Sequence, residues 1–205
     1  MYGSIPLMIR TDFLREEGSN MRCDDSDMKI MPERVSKVFD SAEGAAVAFA
    51  REKANGNMDK ARALGLRFAQ ELICKEGGLT SFGVGAFDDA RTVTQRKILF
   101  SYVVNQVIAD LFPNSIVAQS AMSSFYNKIE QESPETSEML FDSVAFTMYI
   151  LTARSSPSDP KAIGEVFARL CQREDDPLFV RYGMELAEYF TLRCTQTVLE
   201  AGLIR

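Results

Sequence analysis

Residues 89–113 have the sequence DARTVTQRKILFSYVVNQVIADLFP, and this stretch decides the fold class. Its apolar side chains recur every three or four residues, which is the period of one face of an α-helix. Asp88 or Asp89 can cap the start of such a helix, and Pro113 ends it. The apolar positions of this predicted helix are Ile98, Leu99, Tyr102, Val103, Val107, Ile108 and Leu111.

Three further helix starts share one pattern, in which a capping side chain directly precedes a proline. The pairs are Ser133-Pro134, Asp159-Pro160 and Asp176-Pro177. Proline is well tolerated at the first helical position, because its missing N–H would have no partner inside the helix there. These starts predict helices near residues 134–153, 160–173 and 177–201.

The rest of the chain predicts the same fold class. Helical spacing of apolar residues also marks 33–55, 58–76 and the segment after Asn114, which is placed to cap that helix. We find no alternation of β-branched and polar residues that would indicate a strand. We therefore expect an all-α protein, a single-domain bundle of about seven helices over residues 33–205. Residues 1–32, interrupted by Pro6 and Gly18, predict a flexible or loosely docked N-terminal arm.

Composition excludes several kinds of chemistry. The 205 residues carry a formal net charge of −6 and include no histidine. An acidic chain is poorly suited to nucleic-acid phosphates, so we expect no nucleic-acid partner. The chain lacks the side chain most used for proton transfer near neutral pH and for binding transition metals. We therefore predict no catalytic constellation, no metal site and no cofactor. Arg91, Arg96 and Lys97 form a small basic patch, which we interpret as a solvated face.

The sequence also bears on compartment. The four cysteines form no Cys-x-x-Cys pair, and the N-terminus does not resemble a secretory signal. The longest apolar run, around residues 144–151, is far shorter than the roughly 20 residues of a membrane-spanning helix. We expect a cytoplasmic protein with no membrane association.

Ionisable side chains are sparse between residues 78 and 154. This segment holds 5 basic and 8 acidic residues among 77, whereas the other 128 residues hold 18 and 21. A helix that is apolar around most of its circumference needs cover on most sides, so the helices near 90–112 and 134–153 are expected to be central. The segment can be a well-filled core, a subunit interface or an apolar ligand cavity. The residues predicted to line such an interface or cavity are Phe100, Tyr102, Phe125, Phe146 and Tyr149.

Glycine and alanine recur four residues apart at four sites inside predicted helices. Two such residues stack on one helix face, where their small size lets a neighbouring helix approach. Glycine inside a helix costs about 1 kcal/mol relative to alanine, so its presence needs a reason of this kind. The pairs that predict close helix packing are Gly44/Ala48, Gly65/Ala69, Gly164/Ala168 and Gly183/Ala187.

These observations favour a non-catalytic helical interaction or oligomerisation module, with a homodimer as the expected assembly. The alternative is a regulatory domain that binds a small apolar molecule between its central helices. An enzyme that holds magnesium through carboxylates comes third. The acidic groups do not match a metal motif. Asp88-Asp89 lacks the further aspartate of a helical magnesium site, and the run Asp24–Asp27 lacks the glycine and distal glutamate of a calcium loop. Glu135/Glu138 and Glu185/Glu188 lie one helical turn apart, as solvated glutamates often do.

Overall fold

A computed structural model of the chain describes residues 42–74, 87, 89–113, 115–141, 144–157 and 159–203. These residues form eight α-helices and no β-strand, so the predicted all-α fold is confirmed for this part of the chain. The proposed arm, residues 1–32, lies outside the described residues. The helices are α1 (Ala42–Ala54), α2 (Asn57–Ile73), α3 (Ala90–Leu111), α4 (Ile116–Glu132), α5 (Pro134–Phe141), α6 (Val144–Ser155), α7 (Pro160–Leu170) and α8 (Pro177–Glu200).

Side-chain caps begin four of these helices. The carboxylate of Asp89 accepts a hydrogen bond from the backbone N–H of Thr92, which starts α3. Asp159 and Asp176 cap α7 and α8 in the same way, and each is followed by the proline that the sequence placed there. The cap of α4 is Ser115, one residue later than the predicted Asn114. An oxygen-bearing side chain in extended backbone satisfies one of the N–H groups that a helix start leaves unpaired.

The predicted helix 134–153 is wrong as a single element, because the structure contains two helices, α5 and α6, in its place. Asp142 and Ser143 separate them in the sequence. Side chains of these types compete for backbone hydrogen bonds and favour helix starts, whereas the apolar spacing on either side gives no sign of a break.

Helix α3 is the central element. It contacts α2, α4, α6, α7 and α8, while α2 packs along α4 and α7 packs along α8. Half of its residues are buried, and the ring of Phe100 lies between those of Phe68 in α2 and Phe190 in α8, at 6.4 and 5.3 Å. The expectation that this charge-poor helix is covered on most sides is met.

Helix α6 is covered on one side only. Ala145 and Tyr149, one turn apart, are its buried residues, whereas the side chains of Val144 and Leu151 are 73% and 58% exposed. The expectation that the whole charge-poor segment is enclosed is therefore wrong for α6. Its residues are apolar on all sides, but the neighbouring α3 and α7 contact only part of its circumference.

The helices cross closely at three of the predicted glycines. A Cβ atom on Gly65 would lie 2.1 Å from the carbonyl oxygen of Ala121, so α2 and α4 touch backbone to backbone. In α7, a Cβ on Gly164 would lie 2.3 Å from the Val180 carbonyl oxygen of α8. The third close crossing is at Gly183, which lies against the Phe167 ring. Of the other residues in the four glycine/alanine pairs, Ala69 and Ala168 are fully buried, whereas Ala187, Gly44 and Ala48 are half-buried.

Candidate functional site

Three of the five aromatic residues singled out from the sequence lie together. The ring of Tyr102 in α3 stacks on Tyr149 of α6 at 5.3 Å and meets the edge of Phe146 at 6.1 Å. Phe100 faces α2 and α8 instead, and Phe125 packs against Tyr126 at 5.0 Å. The ring contacts of these five residues therefore involve different helices: α2 and α8 for Phe100, α6 for Tyr102, and Tyr126 of the same helix for Phe125.

The hydroxyl of Tyr149 is completely buried and has no hydrogen-bond partner among the described residues. Burial raises the pKa of this phenol well above its usual value, and the nearby thiol of Cys171 and phenol of Tyr102 act in the same direction. A phenol that stays protonated and inaccessible cannot exchange protons with a substrate. Tyr149 thus contributes its ring to the α3–α6 contact and no chemistry.

An apolar surface, which we call the α6 face, runs from the end of α5 along α6. It consists of Phe141, Val144, Thr147, Met148 and Leu151, none of which ionises. Phe141 is 66% exposed and Thr147 is exposed, while Met148 is half-buried. Contiguous apolar patches of this kind on a monomer commonly mark a binding surface.

Exposed apolar side chains also lie outside the α6 face. On α8, Leu178 and Leu192 are each 68% exposed and have exposed charges one turn away, as Leu151 has in Arg154. Isolated apolar side chains between charges are ordinary on a protein surface. In α1, Val47 is 64% exposed and no charged residue lies between positions 44 and 50, so α1 shares with α6 an exposed stretch without charge.

A cavity of about 240 Å³ opens beside the α6 face. Its walls include Phe141, Phe146 and Thr147, together with Tyr126 of α4 and Leu140 of α5. The rings of Tyr126 and Phe141 lie 5.5 Å apart, which brings the end of α5 against α4. The cavity therefore provides a recess into which an apolar side chain of a partner can fit.

A second apolar groove lies between α3, α7 and α8 and has a volume of about 470 Å³. Tyr102 and Val103 form its α3 wall, Ile163 its α7 wall, and Ala187 and Leu192 its α8 wall. Glu188 is the acidic residue in this lining. Of the five aromatic residues predicted from the sequence, Tyr102 lines this groove.

A third hollow, of about 710 Å³, lies at the turn between α7 and α8 and is lined mainly by charged residues. Arg169 and Arg173 face it together with the acidic run Glu174–Asp176. Asp176 already caps α8, and the guanidinium of Arg173 lies 5.2 Å from the ring centre of Phe179. Charges of both signs in an open turn give no preference for an anion or a cation.

A buried arginine is the residue that sequence reasoning placed wrongly. Arg96, assigned to a solvated basic patch, is 1% exposed. Its guanidinium donates a hydrogen bond to the backbone carbonyl of Phe87 and lies 5.8 Å from the centre of the Tyr182 ring. Arg96 thereby links Phe87, three residues before α3, to α8. Its position one turn before the apolar residues Leu99 and Phe100, which are buried on the same face, is a signal that could have indicated burial.

Burial shifts the pKa of several ionisable groups in the described part of the chain. Within that part of the chain there is no group of three or more side chains suited to hold a metal ion, and residues 24–27 and 88 lie outside it. Burial raises the pKa of Cys171 to about 11 and raises that of Cys194 as well, which keeps both thiols protonated. Burial also raises the pKa of Glu71, opposed by the nearby charge of Arg67.

In the portion of the chain that the structure describes, no helix is long and apolar enough to cross a bilayer. The chain matches no family model, no curated protein and no solved structure.

Proposed function

We propose that the chain is a non-catalytic helical module that associates with a second copy of itself through the α6 face. The observation that carries this proposal is the contrast between α3 and α6. Both helices are apolar around most of their circumference, yet α3 is enclosed and α6 exposes Val144 and Leu151. Burying apolar side chains contributes roughly 1.5–3 kcal/mol for each one fully removed from water, so an uncovered apolar helix favours association.

The α6 face is the surface on which charge opposes a second copy least. The net charge of −6 disfavours self-association, and two copies meet with the least local repulsion through a surface without charge. The α6 face is such a surface, and an uncharged face is complementary to itself. A highly charged partner would lose hydration there and find no opposite charge in return.

Light scattering on the purified chain at micromolar concentration tests the proposal. We expect a dimer for the wild type and a monomer for Leu151→Glu. A symmetric dimer would bury this carboxylate twice, and an unpaired buried charge costs about 3–5 kcal/mol, which weakens association more than about 100-fold.

The matched control is Leu178→Glu, which makes the same substitution at a similarly exposed leucine outside the α6 face. It is expected to dimerise like the wild type. Thermal melting of all three proteins shows whether the variants remain folded. A wild-type monomer at every concentration, or equal dimerisation of both variants, would refute the proposal.

A second candidate function is the binding of a small apolar molecule in the groove between α3, α7 and α8. Its volume of about 470 Å³ lies within the range of ligand sites, and Tyr102 and Leu192 offer apolar contact. Mass spectrometry of the purified protein should then detect a bound apolar compound that raises the melting temperature when added. Ala187→Phe, which fills the groove, should abolish that shift, and a shift that survives this variant would exclude the groove as the site.

A further inference from the structure

We infer that the groove between α3, α7 and α8 binds a small amphiphilic amine, a molecule with an apolar body and one protonated amino group. This inference rests on the second candidate function, the binding of an apolar molecule in the same groove, and names the chemical class of that ligand. The distribution of burial, charge and hydrogen-bond acceptors in the groove carries it.

The groove has an apolar floor and a polar rim. Tyr102 and Val103 of α3 line it and are buried, so they form the floor. Gln106 of α3 and Glu188 and Thr191 of α8 line it too, but they are exposed and lie at the rim. An apolar body can therefore leave water on the floor of the groove while a polar group of the same molecule stays at the rim.

The charge at the rim is negative. Among the described residues that line the groove, Glu188 is acidic and none is basic. In the part of the chain that the structure describes, Glu188 has no ion-pair partner, whereas Glu185, one turn earlier on α8, is paired with Arg181 at 2.7 Å. A ligand cation thus meets a carboxylate that no side chain neutralises, while a ligand anion is repelled.

Two basic residues adjoin the groove walls in sequence, and both act elsewhere. The ammonium of Lys161, at the start of α7, lies 3.1 Å from the carboxylate of Glu165. Arg193 of α8 lies near Glu71 of α2, where burial raises the pKa of the carboxyl and the charge of Arg193 opposes that rise. Neither residue supplies a positive charge to the groove.

A second carboxylate strengthens the negative potential. Asp110 lies one turn after Gln106 on α3 and accepts hydrogen bonds from its amide nitrogen at 3.0 and 3.1 Å. Burial raises the pKa of the Tyr102 phenol, and the charge of Asp110 raises it further, so this charge acts as far as the floor of the groove.

Three polar groups of the rim present hydrogen-bond acceptors. The amide nitrogen of Gln106 already donates to both oxygens of Asp110, which leaves the amide oxygen for a ligand. The hydroxyl of Thr191 donates to the backbone carbonyl of Ala187 at 2.8 Å, which leaves its lone pairs. The carboxylate of Glu188 accepts only. A protonated amine supplies both the donors and the positive charge that this set lacks.

Calorimetric titration with three probes of one chain length tests the ligand class. Octylamine, octanol and octanoate share the apolar body and differ in the head group, which at pH 7 is cationic, neutral and anionic respectively. Each is used below the concentration at which it forms micelles. We expect octylamine to bind about tenfold more tightly than octanol, because its hydrogen bonds to the rim are charge-assisted, and octanoate to bind least. Added salt should reduce this difference.

Glu188→Gln removes the charge and keeps the size of the side chain. It should weaken octylamine binding about tenfold and leave octanol binding unchanged. The matched control is Glu185→Gln, whose carboxylate is paired with Arg181 and lies outside the described lining of the groove, and it should bind octylamine like the wild type. Glu185 and Glu188 are both exposed, so both variants should keep the wild-type melting temperature.

Failure of this inference can be told apart from failure of the second candidate function. Octylamine and octanol that bind equally, and that Ala187→Phe excludes, would overturn the amine while the groove remains an apolar site. Equal losses of octylamine affinity in Glu188→Gln and Glu185→Gln would show attraction by the overall negative charge and overturn the inference too. If octylamine does not bind, the inference fails, whereas the second candidate function fails when the effect of a co-purified compound survives Ala187→Phe.

Discussion

The substitution Gly65→Ala tests the closest helix crossing in the structure. The added Cβ would lie 2.1 Å from the Ala121 carbonyl oxygen and 3.0 Å from the Phe125 nitrogen. A carbon next to a carbonyl oxygen normally stays about 3.3 Å away, so α2 and α4 must separate by about 1 Å at this point. Both obstructing atoms belong to the backbone, which cannot rotate out of the way as a side chain can.

The expected effect is a net destabilisation. Replacing glycine in a helix by alanine contributes about 1 kcal/mol of stability, because the unfolded chain loses less entropy on folding. Overpacking costs roughly 1–3 kcal/mol at an ordinary core site. Separating two packed helices costs more, since contacts along α2 and α4 weaken together. We therefore expect a net loss of about 2–4 kcal/mol, which lowers the melting temperature by about 5–15 °C for a chain of this size.

Urea unfolding followed by circular dichroism measures this difference, and Gly56→Ala is the matched control. Gly56 has open space around it and a φ of 72°, so its replacement costs only the strain of a left-handed backbone, about 1–2 kcal/mol. Gly183→Ala should fall between the two, because the obstructing atoms belong to the Phe167 side chain. A Gly65→Ala protein as stable as the wild type would refute the close crossing of α2 and α4.

Two further predictions concern buried polar groups. Tyr149→Phe should stabilise the protein by about 1 kcal/mol in urea unfolding, because it removes a buried hydroxyl that has no partner; a loss of stability would show that the hydroxyl makes a hydrogen bond. Burial raises the pKa of Cys171 from about 9 in the unfolded chain to about 11. The stability that the buried neutral thiol contributes is therefore complete below pH 9, and it is lost as the pH rises to 11, because the unfolded chain ionises first. The wild type should therefore lose up to roughly 2–3 kcal/mol more than Cys171→Ala across that interval, and parallel pH profiles would contradict this.

Local signals in the sequence predicted the helices well. Asp159 and Asp176 cap their helices in the structure because the capping oxygen and the following proline act within one turn and need no tertiary contact. The long α3 follows from its own apolar spacing in the same way. The separation of α5 from α6 was missed, because the apolar period continues on both sides of Asp142 and Ser143.

The candidate site was predicted less well, because burial depends on neighbours that the sequence does not order in space. Charge sparsity identified α3 and α6 equally, yet α3 lies among five helices while α6 has one exposed side. Arg96 shows the reverse error, since a basic residue beside Lys97 indicated solvent and the structure buries it under the Tyr182 ring. Of the five aromatic residues that were grouped, Tyr102, Phe146 and Tyr149 lie together because α3 and α6 are in contact, whereas the role predicted for the five stays a prediction.

The small residues have a mechanical consequence for the molecule as a whole. Gly65 lets α2 pack directly against α4, and Gly164 and Gly183 do the same for α7 and α8. The described chain therefore contains two closely packed helix pairs, and α3 contacts both. The contacts within a closely packed pair are lost together when its helices separate. The amide protons of each pair should therefore exchange as one cooperative unit, more slowly than those of the sparsely covered α6. We therefore expect the amide protons of α6 to exchange faster than those of the two pairs.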